Sequence, residues 1–196
     1  LNRRYMIPRF AMVADLALAM VLVYFFRDWS KLATVVSIST FVAYATGPVT
    51  AVALRKMRPG FKRPFRSKHL RWVAPLSFVL TGLVIYWAMW PTTVEVIGIV
   101  LLGLPIYFYY DRKYNRVPLK QQLKGAGWLL AYLVFISVVS YLGSSGFGGH
   151  DILKYPYDFL VIIVASLFFY GWAVAARVDG PDLAVAAEVN ADVKVD

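Results

Sequence analysis

Residues 32–54 read LATVVSISTFVAYATGPVTAVAL, and residues 55–71, which follow at once, read RKMRPGFKRPFRSKHLR. The first stretch carries no charged side chain. It is long enough to cross the apolar layer of a bilayer, which takes about 20 residues at a rise of 1.5 Å each. The second is a basic loop: Arg55, Lys56, Arg58, Lys62, Arg63, Arg66, Lys68 and Arg71, with no carboxylate among them. An uncharged run that ends in such a loop is the pattern of a membrane-spanning helix whose exit stays in the cytoplasm.

Working outward, five further segments are also long and predominantly apolar: Phe10–Phe26 before it, then Trp72–Trp90, Val94–Tyr110, Gly125–Leu142 and Tyr157–Ala176. Hydrophobic residues make up 60% of the 196, above the 45–50% usual for soluble domains. One small core cannot hide that excess, because a chain of this size still exposes much of its surface. The expectation is an all-α integral membrane protein with about six spans. The membrane domain occupies residues 1–176, and a flexible, mildly acidic cytoplasmic tail occupies 177–196.

The net charge of +10 raises the question of nucleic acid, and the placement of the charge argues against it. Most of the 21 basic residues lie before the first span (Arg3, Arg4, Arg9), in the loop already quoted, between the fourth and fifth spans (Arg112, Lys113, Arg116, Lys120, Lys124), and after the sixth (Arg177, Lys194). Only Arg27, Lys31 and Lys154 fall in the alternate connections. A nucleic-acid surface would interleave cations with aromatics on one folded face. Here the asymmetry orients a multi-pass protein of the cell (plasma or inner) membrane, with both ends of this chain in the cytoplasm. Trp29, Trp87, Trp90, Tyr155 and Tyr157 then mark the outer interface, and Trp72, Tyr107, Tyr109, Tyr110, Trp128 and Trp172 the inner one.

The chain opens Leu1-Asn2-Arg3-Arg4-Tyr5 without an initiator Met or a signal-peptide layout. The expectation is a processed chain or a piece of a longer one. Pro91-Thr92-Thr93 is a tight turn joining the third and fourth spans into a hairpin, with Thr92 or Thr93 the expected N-cap. Pro48 and Pro105 fall inside spans, where each removes a backbone donor.

Polar residues at membrane depth are the functional candidates. Asp15 in the first span has two readings: a proton- or ion-coupling group, or a carboxylate near the headgroups paired with Arg9 or Arg4. Glu95 lies at the outer end of its span and reads as structural. On the second span Ser37, Thr40, Tyr44 and Gly47 follow spacings of three and four, which places them on one helix face. That face suits either a solute path or a helix–helix contact, where small and hydroxyl residues let backbones approach. Gly82, Gly98 and Gly103 read as packing positions. The fifth and sixth spans, with little polarity beyond Ser137, Ser140 and Ser166, read as lipid-facing scaffold.

Enzymatic chemistry finds little support. The loop GSSGFGGHD over residues 143–151 holds Ser, His and Asp, but reads as a flexible glycine-rich turn without a nucleophile elbow. There is no Cys, no zinc-protease motif and no P-loop. His69 sits among Lys and Arg. No catalytic residue, metal site or cofactor is expected.

The run Tyr44–Arg66, with Leu54-Arg55, Pro59 and Arg63-Pro64-Phe65, resembles the end of the tenth helix and its exit loop in amino-acid permeases of the amino acid–polyamine–organocation superfamily. Asn2-Arg3-Arg4-Tyr5 and Pro8 are similar to that family's lead into its ninth helix. Ser67-Lys68 departs from the Val-Pro pair common there. The likeness covers about Asn2 to Tyr110, and the last two spans would be the extra pair of fourteen-helix members. It implies the C-terminal part of a leucine-transporter-like fold, in which solute sits at discontinuous helices near the midplane. Those helices, the family's first and sixth, are absent from this chain. The implied function is proton- or sodium-coupled symport or exchange of an amino acid or related amine by alternating access. The implied partners are the missing N-terminal helices and the bilayer. The first two spans would belong to the moving part and the other four to the scaffold. The rival reading is a self-contained six-helix accessory or binding subunit.

Overall fold

The computed structural model describes residues 9–25, 27–63, 67–114, 118–178 and 183, and every structural statement concerns those residues. Among them run six α-helices: α1 Arg9–Phe25, α2 Trp29–Met57, α3 Leu70–Tyr86, α4 Thr92–Tyr114, α5 Leu119–Leu142 and α6 Tyr157–Ala175, with a single 3-10 turn at Ser145–Phe147. Each of the six apolar segments overlaps one of these helices. Four are long and apolar enough to cross a membrane: α2, α4 over Thr92–Arg112, α5 and α6. The other two, α1 and α3, are apolar helices of 17 residues, or roughly 26 Å.

By compactness the chain divides into residues 1–37 and residues 38–196. The first unit holds α1 and the start of α2. Asp28 caps α2: its Oδ1 accepts the Ser30 N–H at 3.0 Å, satisfying one of the free donors of the first turn. The Arg27 guanidinium lies 5.4 Å from the centre of the Tyr24 ring.

In the second unit α3, α5 and α6 pack on one another, and α4 packs on α5. Phe78 of α3 is fully buried, with its ring 4.9 Å from that of Tyr132, 5.9 Å from Tyr170 and 6.0 Å from Trp128. Along α2 the buried positions Ile38, Val42, Ala45, Val49 and Ala53 recur every three or four residues, one helix stripe.

Several expectations are corrected here. The fifth and sixth helices are not merely lipid-facing. On one face α5 buries Trp128, Tyr132, Leu133, Ile136 and Val139, and α6 buries Asp158, Ile162, Ser166 and Phe169. Their other faces, with Val134, Leu160, Val164 and Phe168, are exposed. Of the three glycines read as packing positions, Gly82 meets a neighbour: a methyl added there would fall on the Tyr132 hydroxyl, whereas among the described residues nothing lies within 4 Å of one at Gly98 or Gly103.

The third helix ends at Tyr86 rather than Trp90: Met89 takes a left-handed φ of 65°, and Pro91 disfavours helix at Trp90, the residue before it. The Thr92/Thr93 cap is replaced by a different arrangement. Helix α4 starts at Thr92 itself. The buried Thr93 hydroxyl donates backwards, 3.1 Å to the Met89 carbonyl and 3.3 Å to that of Ile85, so it closes the end of α3. At the other end, α4 and α5 continue past the apolar segments because polar side chains join them. Tyr107 donates to Gln122 Oε1 at 3.0 Å, and Gln122 Nε2 donates to Asp111 at 2.8 Å.

Candidate functional site

The hydroxyl face of α2 is built by helix periodicity. Ser37, Thr40 and Tyr44 are exposed, and at 100° per residue they lie on the side of α2 opposite its buried stripe. The Ser37 hydroxyl donates to the Ala33 carbonyl at 2.8 Å. Tyr44 is 64% exposed, with Phe41 edge-on at 6.4 Å. Pro48 lies inside α2 and has no N–H to donate to the carbonyl of Tyr44, four residues back. One turn of this face therefore combines side-chain hydroxyls with a main-chain acceptor released from the helix ladder. A solute carrying an ammonium and a carboxylate can use both kinds of group. Asp15 stands on a separate helix, α1, where it is exposed. It is the only charged group among the described side chains of α1. The side chains of its expected partners, Arg4 and Arg9, lie outside the described residues.

The most organised polar site escaped sequence reading. Asp158, in the first turn of α6, is fully buried. Its Oδ2 accepts the Tyr86 hydroxyl at 2.7 Å and its Oδ1 accepts the Phe159 N–H at 2.8 Å. A carboxylate at a helix N-terminus also meets the positive end of the helix dipole. Phe147 and Phe159 wall the Tyr86 ring at 5.4 and 5.7 Å, and Gly143 leaves room for its hydroxyl. The signal available in the sequence was an Asp just inside an apolar run, two residues after Pro156. Deeper in the bundle Tyr132 and Ser166, both buried, share a 2.7 Å hydrogen bond. These groups hold α3, α5 and α6 in register.

The Ser/His/Asp loop is folded rather than flexible. Asp151 N donates to Gly143 O at 2.8 Å, Leu153 N to Leu142 O at 2.7 Å, and Trp90 N to Phe147 O at 3.0 Å, which ties this loop to the α3–α4 turn. At Gly148, φ is +77° and a side chain would meet the Trp90 carbonyl, so glycine is required there. The three polar residues do not form a catalytic set. His150 Nδ1 meets the Tyr141 carbonyl at 3.2 Å, Asp151 accepts the Ser145 N–H at 3.3 Å, and Ser144 is buried.

The basic motif after α2 has a structural component. The Arg63 guanidinium donates to the carbonyls of Arg58 at 2.8 Å and Leu54 at 3.4 Å, satisfying acceptors at the end of α2. Arg55 donates to Ser67 O at 2.9 Å. Pro64, Phe65 and Arg66, like Asn2–Pro8, Arg116 and the tail beyond 178 apart from Leu183, lie outside the described residues.

No protein-family model matches the chain, and no solved structure does. Three proteins of Bacillus subtilis (strain 168) are similar to it in sequence. The glutamate/serine transporter AimA is 40% identical over 189 residues, 96% of this chain and 35% of the relative. An aspartate-proton symporter is 33% identical over 168 residues, 85% of this chain and 32% of the relative. The branched-chain amino acid permease BcaP is 31% identical over 87 residues, 44% of this chain and 19% of the relative. The chain thus spans about a third of the length of the first two.

Proposed function

The chain belongs to the amino-acid permeases, and on that premise we propose that it is the C-terminal portion of a secondary active amino-acid transporter of the cell membrane. The observation that carries this reading is the 40% identity to a glutamate/serine transporter over 96% of the chain. A second relative is a proton symporter by name, which supports coupling to a cation gradient. In this reading the whole protein carries an amino acid by alternating access, and this portion supplies helices that flank the solute site.

The hydroxyl face of Ser37, Thr40 and Tyr44 fits the flank of the solute path, because it points away from the packed stripe of α2 and includes the carbonyl opened by Pro48. Asp15 fits the coupling cation, as the lone charged group among the described side chains of an apolar helix. The basic loops Arg55–Arg71 and Arg112–Lys124 fit a cytoplasmic placement. Transport chemistry makes and breaks no covalent bond, and nothing in the arrangement of Ser144, His150 and Asp151 calls for an enzyme.

The test is uptake by proteoliposomes holding the full protein that carries this chain, under an imposed proton or sodium gradient. Labelled glutamate, serine, aspartate and branched-chain amino acids are supplied in turn. Accumulation of one of them, abolished when an ionophore collapses the gradient, is expected. Equal counts in loaded and empty liposomes for every amino acid, under both gradients, would overturn the reading.

A further inference from the structure

At the basic end of the bundle the C-terminus of α2, the N-terminus of α3 and the C-terminus of α6 enclose a cleft of about 630 Å³. Arg55, Lys56, Lys68 and Arg71 stand on its walls, and among the described residues no carboxylate does. Val52, Leu70, Tyr170, Gly171 and Val174 make up the rest of its lining. Helix α3 opens here without a side-chain cap from His69, so the positive end of its dipole adds to the four cations. Arg55 is partly engaged, holding the Ser67 carbonyl. Lys56, Lys68 and Arg71 are exposed.

The cleft does not stop at the charged rim. Through Gly171 it adjoins an apolar groove on α6 formed by Leu167, Phe168, Trp172 and Ala175. Leu167, Phe168 and Trp172 are 48%, 68% and 43% exposed. The ligand that matches this layout has a compact anionic head and an apolar tail running toward the bilayer centre. A free anion would use the cations and leave the groove bare. A neutral lipid would use the groove and leave four cations on one cleft without a counter-charge among the described residues.

We infer that this cleft binds an anionic phospholipid, its phosphate among Arg55, Lys56, Lys68 and Arg71 and one acyl chain along Leu167, Phe168 and Trp172. Basic pockets between membrane helices commonly hold such headgroups. The assignment rests on the chain spanning a membrane and is independent of which solute is carried. A lipid bound there bridges α2 to α3 and α6, whose residues line the cleft.

The experiment is native mass spectrometry of the full protein, purified in a mild detergent and offered phosphatidylglycerol or phosphatidylcholine of equal chain length. Retention of phosphatidylglycerol over phosphatidylcholine is expected. The Lys56→Gln/Lys68→Gln/Arg71→Gln variant should lose that retention by roughly tenfold or more, given the contribution of each cation near the surface. The Lys68→Gln single variant, changed only at an exposed site, should show an intermediate loss. The Lys120→Gln/Lys124→Gln variant, outside the cleft, should retain phosphatidylglycerol as the parent does. Equal retention of both lipids, or full retention by the triple variant, overturns the inference. So does competition by glycerol phosphate as effective as that by the intact lipid, which would make this a site for a free anion. The readout involves no transport, so a protein that fails every uptake assay can still pass this test.

Discussion

The Tyr86 hydroxyl donates to Oδ2 of Asp158 across 2.7 Å, joining the last residue of α3 to the first turn of α6 between two fully buried side chains. The bond lies directly under the folded α5–α6 loop, whose Phe147 packs on the Tyr86 ring. Removing the hydroxyl with Tyr86→Phe leaves a buried carboxyl oxygen without its donor, which costs about 1–3 kcal/mol. The detergent-solubilised protein should melt at lower temperature. Asp158→Leu should be comparably harmful. The double variant should lose less than the sum of the two, because neither partner is then left stranded. A Tyr86→Phe protein that melts with the parent would show that the latch contributes nothing.

Gly82 gives a second test within the same bundle. An added methyl there would fall on the Tyr132 hydroxyl and come within 2.9 Å of the Ser166 Oγ, both of which are buried and already bonded to each other. Gly82→Ala should therefore destabilise by about 1–3 kcal/mol through overpacking. Gly98→Ala, where no neighbouring atom of the described residues lies within 4 Å, should change stability by no more than roughly 1 kcal/mol, in the direction of its better helix propensity. Equal melting temperatures for the two variants would mean that the close approach at Gly82 is relieved at little cost.

These two sites show where sequence reading succeeded and where it stopped. Six helices were legible because an apolar run must be long to cross a bilayer, and Arg or Lys flanks each run on at least one side. The faces of those helices were not. In α6, Ile162 and Phe169 are buried while Val164 and Phe168 are exposed, yet all four are equally at home in lipid, so hydrophobicity cannot separate core from bilayer. Glycine spacing was equally blind, treating Gly82, Gly98 and Gly103 alike when, among the described residues, only the first meets a neighbour. Asp158 was passed over because an acid near a helix start reads as solvated, and its burial depends on Tyr86, 72 positions away. The periodicity of Ser37, Thr40 and Tyr44 was readable because it is local to one helix.

Orientation across the membrane can be measured directly, because the 196 residues contain no Cys. Tyr155, 69% exposed in the α5–α6 connection, and Lys120, exposed near the start of α5, should lie on opposite sides. In a full protein cleared of any other cysteines, Tyr155→Cys should react with a membrane-impermeant maleimide in intact cells. Lys120→Cys should react only after permeabilisation. The reverse pattern would invert the placement of every basic loop.

The hydroxyl face of α2 separates a solute path from a surface that merely seats a neighbouring helix. Tyr44→Phe and Thr40→Val each remove one polar group with little change of shape, at positions that are exposed. If the face lines the path, each should raise KM for the carried amino acid by up to roughly tenfold, the worth of one hydrogen bond to a charged or polar partner, and leave the melting temperature unchanged. If the face seats a helix, melting should fall and KM should hold. Tyr109→Phe on α4, also exposed, serves as the control and should alter neither. Asp15→Asn probes the coupling role in the same assay. It should abolish gradient-driven accumulation while sparing exchange of labelled for unlabelled amino acid, because exchange needs the solute path but no net movement of the cation. Loss of both processes together would remove Asp15 from the coupling step and make it a structural group of α1.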